Sequence, residues 1–241
     1  MSTFYAYRLE CKCGHTDMVE LVYGIHITRL PRARQQILDG DFQVFVCSAC
    51  GERTAIEAPT IYTDFDRHQY VAVETAVRQD WATLGARHDH AFENSFTRGP
   101  AIASEMGTKF RKRCVIGFRA LREKLMVWDA ALDDLVIEGV KGRLMERLGI
   151  TPGDGVFRLA GVLPGGHLTF LRFEPSPPAP PGTHVHHTTT MGAVDAETVL
   201  ASEYVHQLED RARIAQAYPW LADKWLVDIH DGLAVRSRVF R

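Results

Sequence analysis

Phe45-Val46-Cys47-Ser48-Ala49-Cys50-Gly51-Glu52-Arg53-Thr54-Ala55-Ile56 is the stretch on which the reading of this chain turns. Phe42, Val44 and Val46 recur with a period of two, so a strand is expected to run directly into Cys47, and a second strand over Thr54 to Ala58 follows. A Cys-x-x-Cys-Gly between two strands is the sequence form of a zinc knuckle. Its turn aims two thiolates and several amides at one point, and Gly51 accepts the positive backbone angle the turn needs. A redox pair would need a helix beginning at the first cysteine to lower its pKa, and Glu52 to Ile56 looks like a strand instead.

Upstream, Cys11-Lys12-Cys13-Gly14 stands between two strands in the same way, and Val19, Leu21, Tyr23, Ile25 and Ile27 alternate beyond it. This motif is one residue shorter, which forces a tighter chelate. The two knuckles together supply Cys11, Cys13, Cys47 and Cys50, the four ligands of a closed structural zinc site, with His15 close enough to replace a thiolate. The competing reading is a pair of metal-free knuckles kept as small packed residues. Between them, Pro31 to Leu38 is expected to be a short helix, with Pro early in it and Gly40 just past its end. The fifth cysteine, Cys114, falls in an apolar strand and is expected to be a buried thiol.

The rest of the composition is that of an ordinary globular protein: 46% hydrophobic and 24% charged residues in a chain of 241. A formal net charge of −2 argues against coating nucleic acid or anionic membrane by bulk electrostatics. There is no apolar run of the roughly 20 residues a membrane helix needs, and Met1 to Arg8 has no secretory pattern. The expectation is a cytoplasmic protein, whose reduced thiols favour metal over disulfides.

Further along, Gln69 to Val73 and Arg113 to Phe118 suit strands, with helix and loop over Val77 to Met106. Leu121, Leu125 and Val127, then Leu132 through Leu148, recur at helical spacing. Asp133 or Asp134 can cap the second of these helices, Gly149 can end it, and Gly139 and Gly142 inside it point to a close backbone contact. Val156 to Ala160 and His167 to Phe173 read as a hairpin through Pro164-Gly165-Gly166. A proline-rich break over Pro175 to Gly182 follows, then a helix from about Ala196 to Ala217 and a break at Tyr218-Pro219-Trp220. The predicted fold class is α+β: a zinc-ribbon-like β module over residues 1–76, a mixed α/β segment over 77–173, and a linker with a C-terminal helical region over 174–241.

The order of these features resembles the CpXC domain known from bacteria, named for two Cys-Pro-x-Cys motifs. The resemblance rests on Leu9-Glu10-Cys11, the helix ending near Asp39-Gly40, Phe45 to Gly51, Tyr62 and Asp64, then Arg113-Cys114-Val115, Leu121, Glu123-Lys124, Leu132-Asp133-Asp134, Ile137-Glu138 and Lys141. It covers roughly residues 5 to 150. Neither motif here has the proline, and the first lacks a residue, so metal binding does not follow from the resemblance alone. What it implies is an architecture, not an activity.

Other candidate chemistry is incomplete. Thr183-His184-Val185-His186-His187-Thr188 would point His184 and His186 the same way on an extended chain, as two metal ligands require. No carboxylate lies within five residues on either side, so a solvated histidine cluster outside any regular ladder is expected. Asp133, Asp134, Glu138 and Lys141 suggest either a nuclease-like cluster or a capped helix with a Glu138–Lys141 surface pair, and the second reading is preferred. Lys109, Arg111, Lys112, Arg113, Arg119 and Arg122 read as a solvated basic edge, and Trp220 and Trp225 as core. No familiar catalytic signature is present. The functional expectation is a non-enzymatic binding or adaptor protein for a protein partner. The alternatives are a metal-dependent hydrolase built on the 184–187 histidines, or a nucleic-acid-binding ribbon.

Overall fold

The computed structural model describes residues 3–75, 81–98, 100–151, 154–174, 186–189, 192–222, 225 and 228–230. The fold is α+β. Strands β1 (Thr3–Glu10) and β2 (Thr16–His26) form an antiparallel hairpin with Tyr5 opposite Leu21 and Leu9 opposite Asp17. Helix α1 (Pro31–Asp39) begins with proline, which lacks the amide a first turn leaves unpaired, and ends on Gly40 at φ 81°. Strands β3 (Val44–Val46) and β4 (Arg53–Glu57) make a second hairpin. Leu9, Leu21 and Ile56 close a small core between the hairpins. Buried Gln43 fastens them: its Oε1 accepts from the Val22 amide at 2.7 Å, and its Nε2 donates to the Ile56 carbonyl at 3.3 Å.

Strands β5 (Thr60–Asp64), β6 (Gln69–Glu74) and β7 (Arg111–Ile116) extend the first hairpin into a five-stranded sheet of order β1-β2-β5-β6-β7. Helices α2 (Trp81–Phe92) and α3 (Ala101–Lys109), joined by a π-helical turn, lie between β6 and β7 in sequence. Phe92 and Phe96 pack there with Tyr70, Phe110 and Trp225. The main core gathers Ile37, Tyr62, Val71 and Val115 around helices α4 (Gly117–Asp129) and α5 (Asp134–Leu148). Asp133 caps α5 through the Leu135 and Val136 amides, and Gly149 ends it. A Cβ on Gly139 would sit 2.5 Å from Ile214 Cδ1, which confirms the close approach its glycine implied.

The hairpin of β8 (Val156–Val162) and β9 (Leu168–Phe173) turns through Pro164–Gly166. Two expectations for the last third need correction. Residues 186–189 form strand β10 and pair with β4, His186 opposite Glu57, so part of the histidine segment is in a regular ladder after all. The helix expected from Ala196 begins later: Asp195–Val199 is strand β11, paired with β9, and α6 (Ala201–Glu209) and α7 (Arg211–Ala217) follow. In both places cross-strand pairing outweighs local preference. The proline-rich stretch 175–182 lies outside the described residues, as does His184.

Candidate metal centre

Each cysteine pair sits in the turn of one hairpin. In the second turn the Cys47 amide donates to the Glu52 carbonyl at 2.9 Å and the Gly51 amide to the Cys47 carbonyl at 3.0 Å. In the first, Cys11 donates to His15 at 2.8 Å and Gly14 donates to Cys11 at 2.9 Å. Both glycines are left-handed, at φ 84° for Gly14 and 76° for Gly51. In each motif the second cysteine immediately precedes the glycine. The shorter motif therefore loses one residue between its cysteines and keeps both closing hydrogen bonds.

The four Sγ atoms of Cys11, Cys13, Cys47 and Cys50 all lie within 4.8 Å of one another. Two contacts cross between the hairpins: Cys11 to Cys50 at 3.6 Å and Cys13 to Cys47 at 3.8 Å. Zinc–thiolate bonds of about 2.3 Å in a tetrahedron place neighbouring sulfurs about 3.8 Å apart. The donor set therefore fits a four-coordinate ion of that size. The Cys50 and Ala49 amides draw the Cys47 thiol down to about 7. Against the pull of the Glu52 amide, its bonds to Cys13 and Cys11 push Cys50 up to about 12. One thiolate forms readily in this quartet, and further ones need a cation to offset their repulsion.

A polar clasp flanks the sulfurs. Ser48 Oγ donates to Asp17 Oδ1 at 2.7 Å and meets His15 Nε2 at 2.9 Å, while the Ser48 amide donates to Asp17 Oδ2 at 3.2 Å. His15 is thus turned toward Ser48 and Asp17, and the converging set is the four cysteines. The clasp joins the first turn to the second without involving a sulfur.

The other sequence candidates are dispersed. Lys109 pairs with Glu105, Arg113 forks Asp134, and the Arg122 guanidinium donates to the Leu38 carbonyl. Arg111, Lys112 and Arg119 lie over the rings of Trp128, Phe92 and Phe173. The basic run is therefore engaged internally and forms no common phosphate-facing edge. Cys114 and Trp225 are buried, and Trp220 packs beside Leu221.

The Glu138–Lys141 pair exists, at 2.8 Å, but it is wholly buried and not on the surface. It belongs to a cluster that sequence reasoning missed. Lys124 bonds Glu138 at 2.9 Å, Lys141 bonds Glu123 at 3.0 Å, and Arg158 bonds Glu123 at 3.3 Å and Asp228 at 2.6 Å. Amides of Leu159 and Ile229 complete the carboxylates of Glu123 and Glu138, and the Phe157 amide donates to His230 Nε2. Three acids face three bases, and burial holds His230 neutral by lowering its pKa well below the usual histidine range. The signal available in sequence was charge on an otherwise apolar helix face: Glu123 and Lys124 stand between Leu121 and Leu125, and Lys141 beside Val140.

No curated protein and no solved structure matches this chain. The family model of the CpXC proteins matches residues 9–141, which takes in both knuckles, the five-stranded sheet except most of its first strand, and α4 with the first half of α5. The cysteine quartet fits a metal-binding module, and the chain belongs to the CpXC protein family.

Proposed function

We propose that this protein is a non-enzymatic binding or adaptor protein, in which a structural zinc ion held by Cys11, Cys13, Cys47 and Cys50 fixes the ribbon as a platform for a protein partner. The observation that carries the reading is the all-cysteine donor set at tetrahedral spacing. Four thiolates saturate zinc, so no position is left for a substrate or an activated water, and such closed sites serve structure. The same hairpins present large apolar side chains to solvent: Met18 is 67% exposed, Val46 57% and Phe4 49%. Phe4 and Met18 occupy one face of the first hairpin. Apolar groups on a rigid, otherwise polar sheet suit docking against another protein.

Metal analysis of protein purified without chelator tests the zinc, with one equivalent per chain expected. Site-specific cross-linking from the ribbon tests the platform. Met18→Asp with Val46→Asp is expected to abolish a discrete cross-linked species while leaving the zinc in place. A hydrolytic activity lost on changing His184, His186 and His187 together to Ala would overturn the non-enzymatic reading.

A further inference from the structure

A groove of about 570 Å³ runs between α5 on one side and α6 with α7 on the other, within the size range of small-molecule sites. No cysteine of the metal centre lines it. Its chemistry is set by one guanidinium held in place. Gln207 is 2% exposed, and with its amide oxygen facing Arg143 it accepts from Nε at 2.6 Å and from one terminal nitrogen at 3.0 Å. Arginine only donates, so this orientation is the one that satisfies both groups. A buried amide thereby fixes a planar cation at the mouth of a groove, the preorganisation that carboxylate recognition uses.

The remaining charges decide the ligand. Arg147 is committed to Glu197 and Glu203 at 3.5 and 3.8 Å, and Asp210 stands 3.9 Å from His206. Arg213 lines the groove from α7, and neither it nor Arg143 is ion-paired among the described residues. His206 is charged only when protonated and does not offset Asp210, so with Glu146 the uncommitted charges are two positive and two negative. That balance suits a monoanion better than a phosphate dianion. Between the charges, Ile214, Ala217 and the half-buried ring of Tyr218 give an apolar wall.

We infer that this groove binds a small carboxylate with an apolar body, its carboxylate on Arg143 and Arg213 and its body against Ile214, Ala217 and Tyr218. The site is independent of the metal centre and goes beyond the adaptor reading.

Titrating the full chain with benzoate, benzamide and inorganic phosphate, followed by calorimetry and by NMR shifts at Arg143 and Gln207, tests it. Benzoate is expected to bind with a Kd on the order of 1 mM, as a fragment of its size does. Benzamide and phosphate are each expected to bind at least about tenfold more weakly, because neither matches a paired guanidinium as a planar monoanion does. Arg143→Gln is expected to cost benzoate about tenfold or more. Glu146→Gln is expected to tighten it about two- to fivefold by removing a like charge. Glu146 is exposed, so Glu146→Gln is expected to keep the wild-type melting temperature. Arg143→Gln leaves the buried Gln207 amide without its partner, so its benzoate affinity is read at a temperature where circular dichroism shows the variant folded. Equal binding of benzoate and benzamide, stronger binding of phosphate, or an unchanged benzoate affinity in Arg143→Gln would each overturn the inference, as would loosening by Glu146→Gln.

Discussion

The metal centre and the buried ionic cluster are two solutions to one electrostatic problem. In each, acidic side chains from separate elements converge: four thiols within 4.8 Å in the ribbon, and the carboxylates of Glu123, Glu138 and Asp228 within the same span in the core. The carboxylates bring their own cations, Lys124, Lys141 and Arg158, at 2.6 to 3.3 Å. The thiols do not: Lys12, inside the first motif, reaches out to Glu52 at 3.9 Å. As a metal site, the ribbon takes its charge balance from an external ion, whereas the core supplies its own. A small β module cannot bury enough apolar surface alone, whereas the core has α4, α5 and the five-stranded sheet around it.

The largest expected effect separates the two directly. Cys47→Ser is expected to abolish metal retention and the cooperative unfolding of the ribbon, because metal binding and folding are coupled in such modules. Cys114→Ser, in the apolar core, is expected to cost only about 1 to 3 kcal/mol and to leave metal content unchanged. Metal analysis with melting curves for both variants checks the contrast. Equal melting shifts would break it.

Lys141→Met comes next. It leaves Glu123 and Glu138 short of a cation in a site with no solvent access, a loss of about 3 to 5 kcal/mol. Urea titration is expected to show the loss with zinc content intact, which a ribbon defect would not. Gly139→Ala is smaller. Its Cβ meets Ile214, so overpacking of about 1 to 3 kcal/mol is partly offset by the roughly 1 kcal/mol helix preference of alanine. A net loss near 1 kcal/mol, read by the same titration, is expected.

The smallest effect lies where the two regions touch. Glu57, on β4, accepts from the Phe118 amide at the start of α4 at 2.8 Å, and burial pushes its pKa up to about 7. Its folded pKa exceeds the unfolded value of about 4.3, so the folded state takes up the proton more readily. Stability from this group therefore rises as pH falls through 7, and is lost again as pH climbs above it. Comparing wild type with Glu57→Gln at pH 8 and pH 6 isolates the contribution. Wild type is expected to gain on the variant at the lower pH, and a parallel response would refute the assignment.

The legibility of the chain follows the same division. The knuckles, α1, β2 and the caps of α5 were readable because each rests on residues a few positions apart. Cys47 and Cys50, Pro31 and Gly40, Asp133 and Gly149 act through local backbone geometry. The ionic cluster was not, because its members come from α4, α5, β8 and the segment at Asp228, and no single-sequence period links them. Glu138 and Lys141 at helical spacing resemble an ordinary surface pair until the neighbours on all sides are known. Strand β5 escaped notice for a related reason. Its buried face carries Thr60, Tyr62 and Asp64, two of them polar residues that suggest solvent, and Asp64 is instead held by Arg34, Arg67 and Tyr62. Strand β11, Asp-Ala-Glu-Thr-Val, has the composition of a helix end and is decided by its pairing with β9.

The pairing of β10 with β4 has a consequence for the order in which the molecule is made. Both cysteine turns leave the ribosome with the first fifty residues, and Gln43 and the Ser48–Asp17 clasp emerge with them, so the quartet can assemble around an ion early. His186, the partner of Glu57, is translated much later, on the order of ten seconds at ordinary elongation rates. Throughout that interval one edge of β4 lacks the strand that will cover it, and an uncovered edge invites pairing with another nascent chain. Early capture of the ion would hold the hairpin turns rigid while β4 waits, so metal supply during synthesis is expected to govern how much of the protein escapes aggregation.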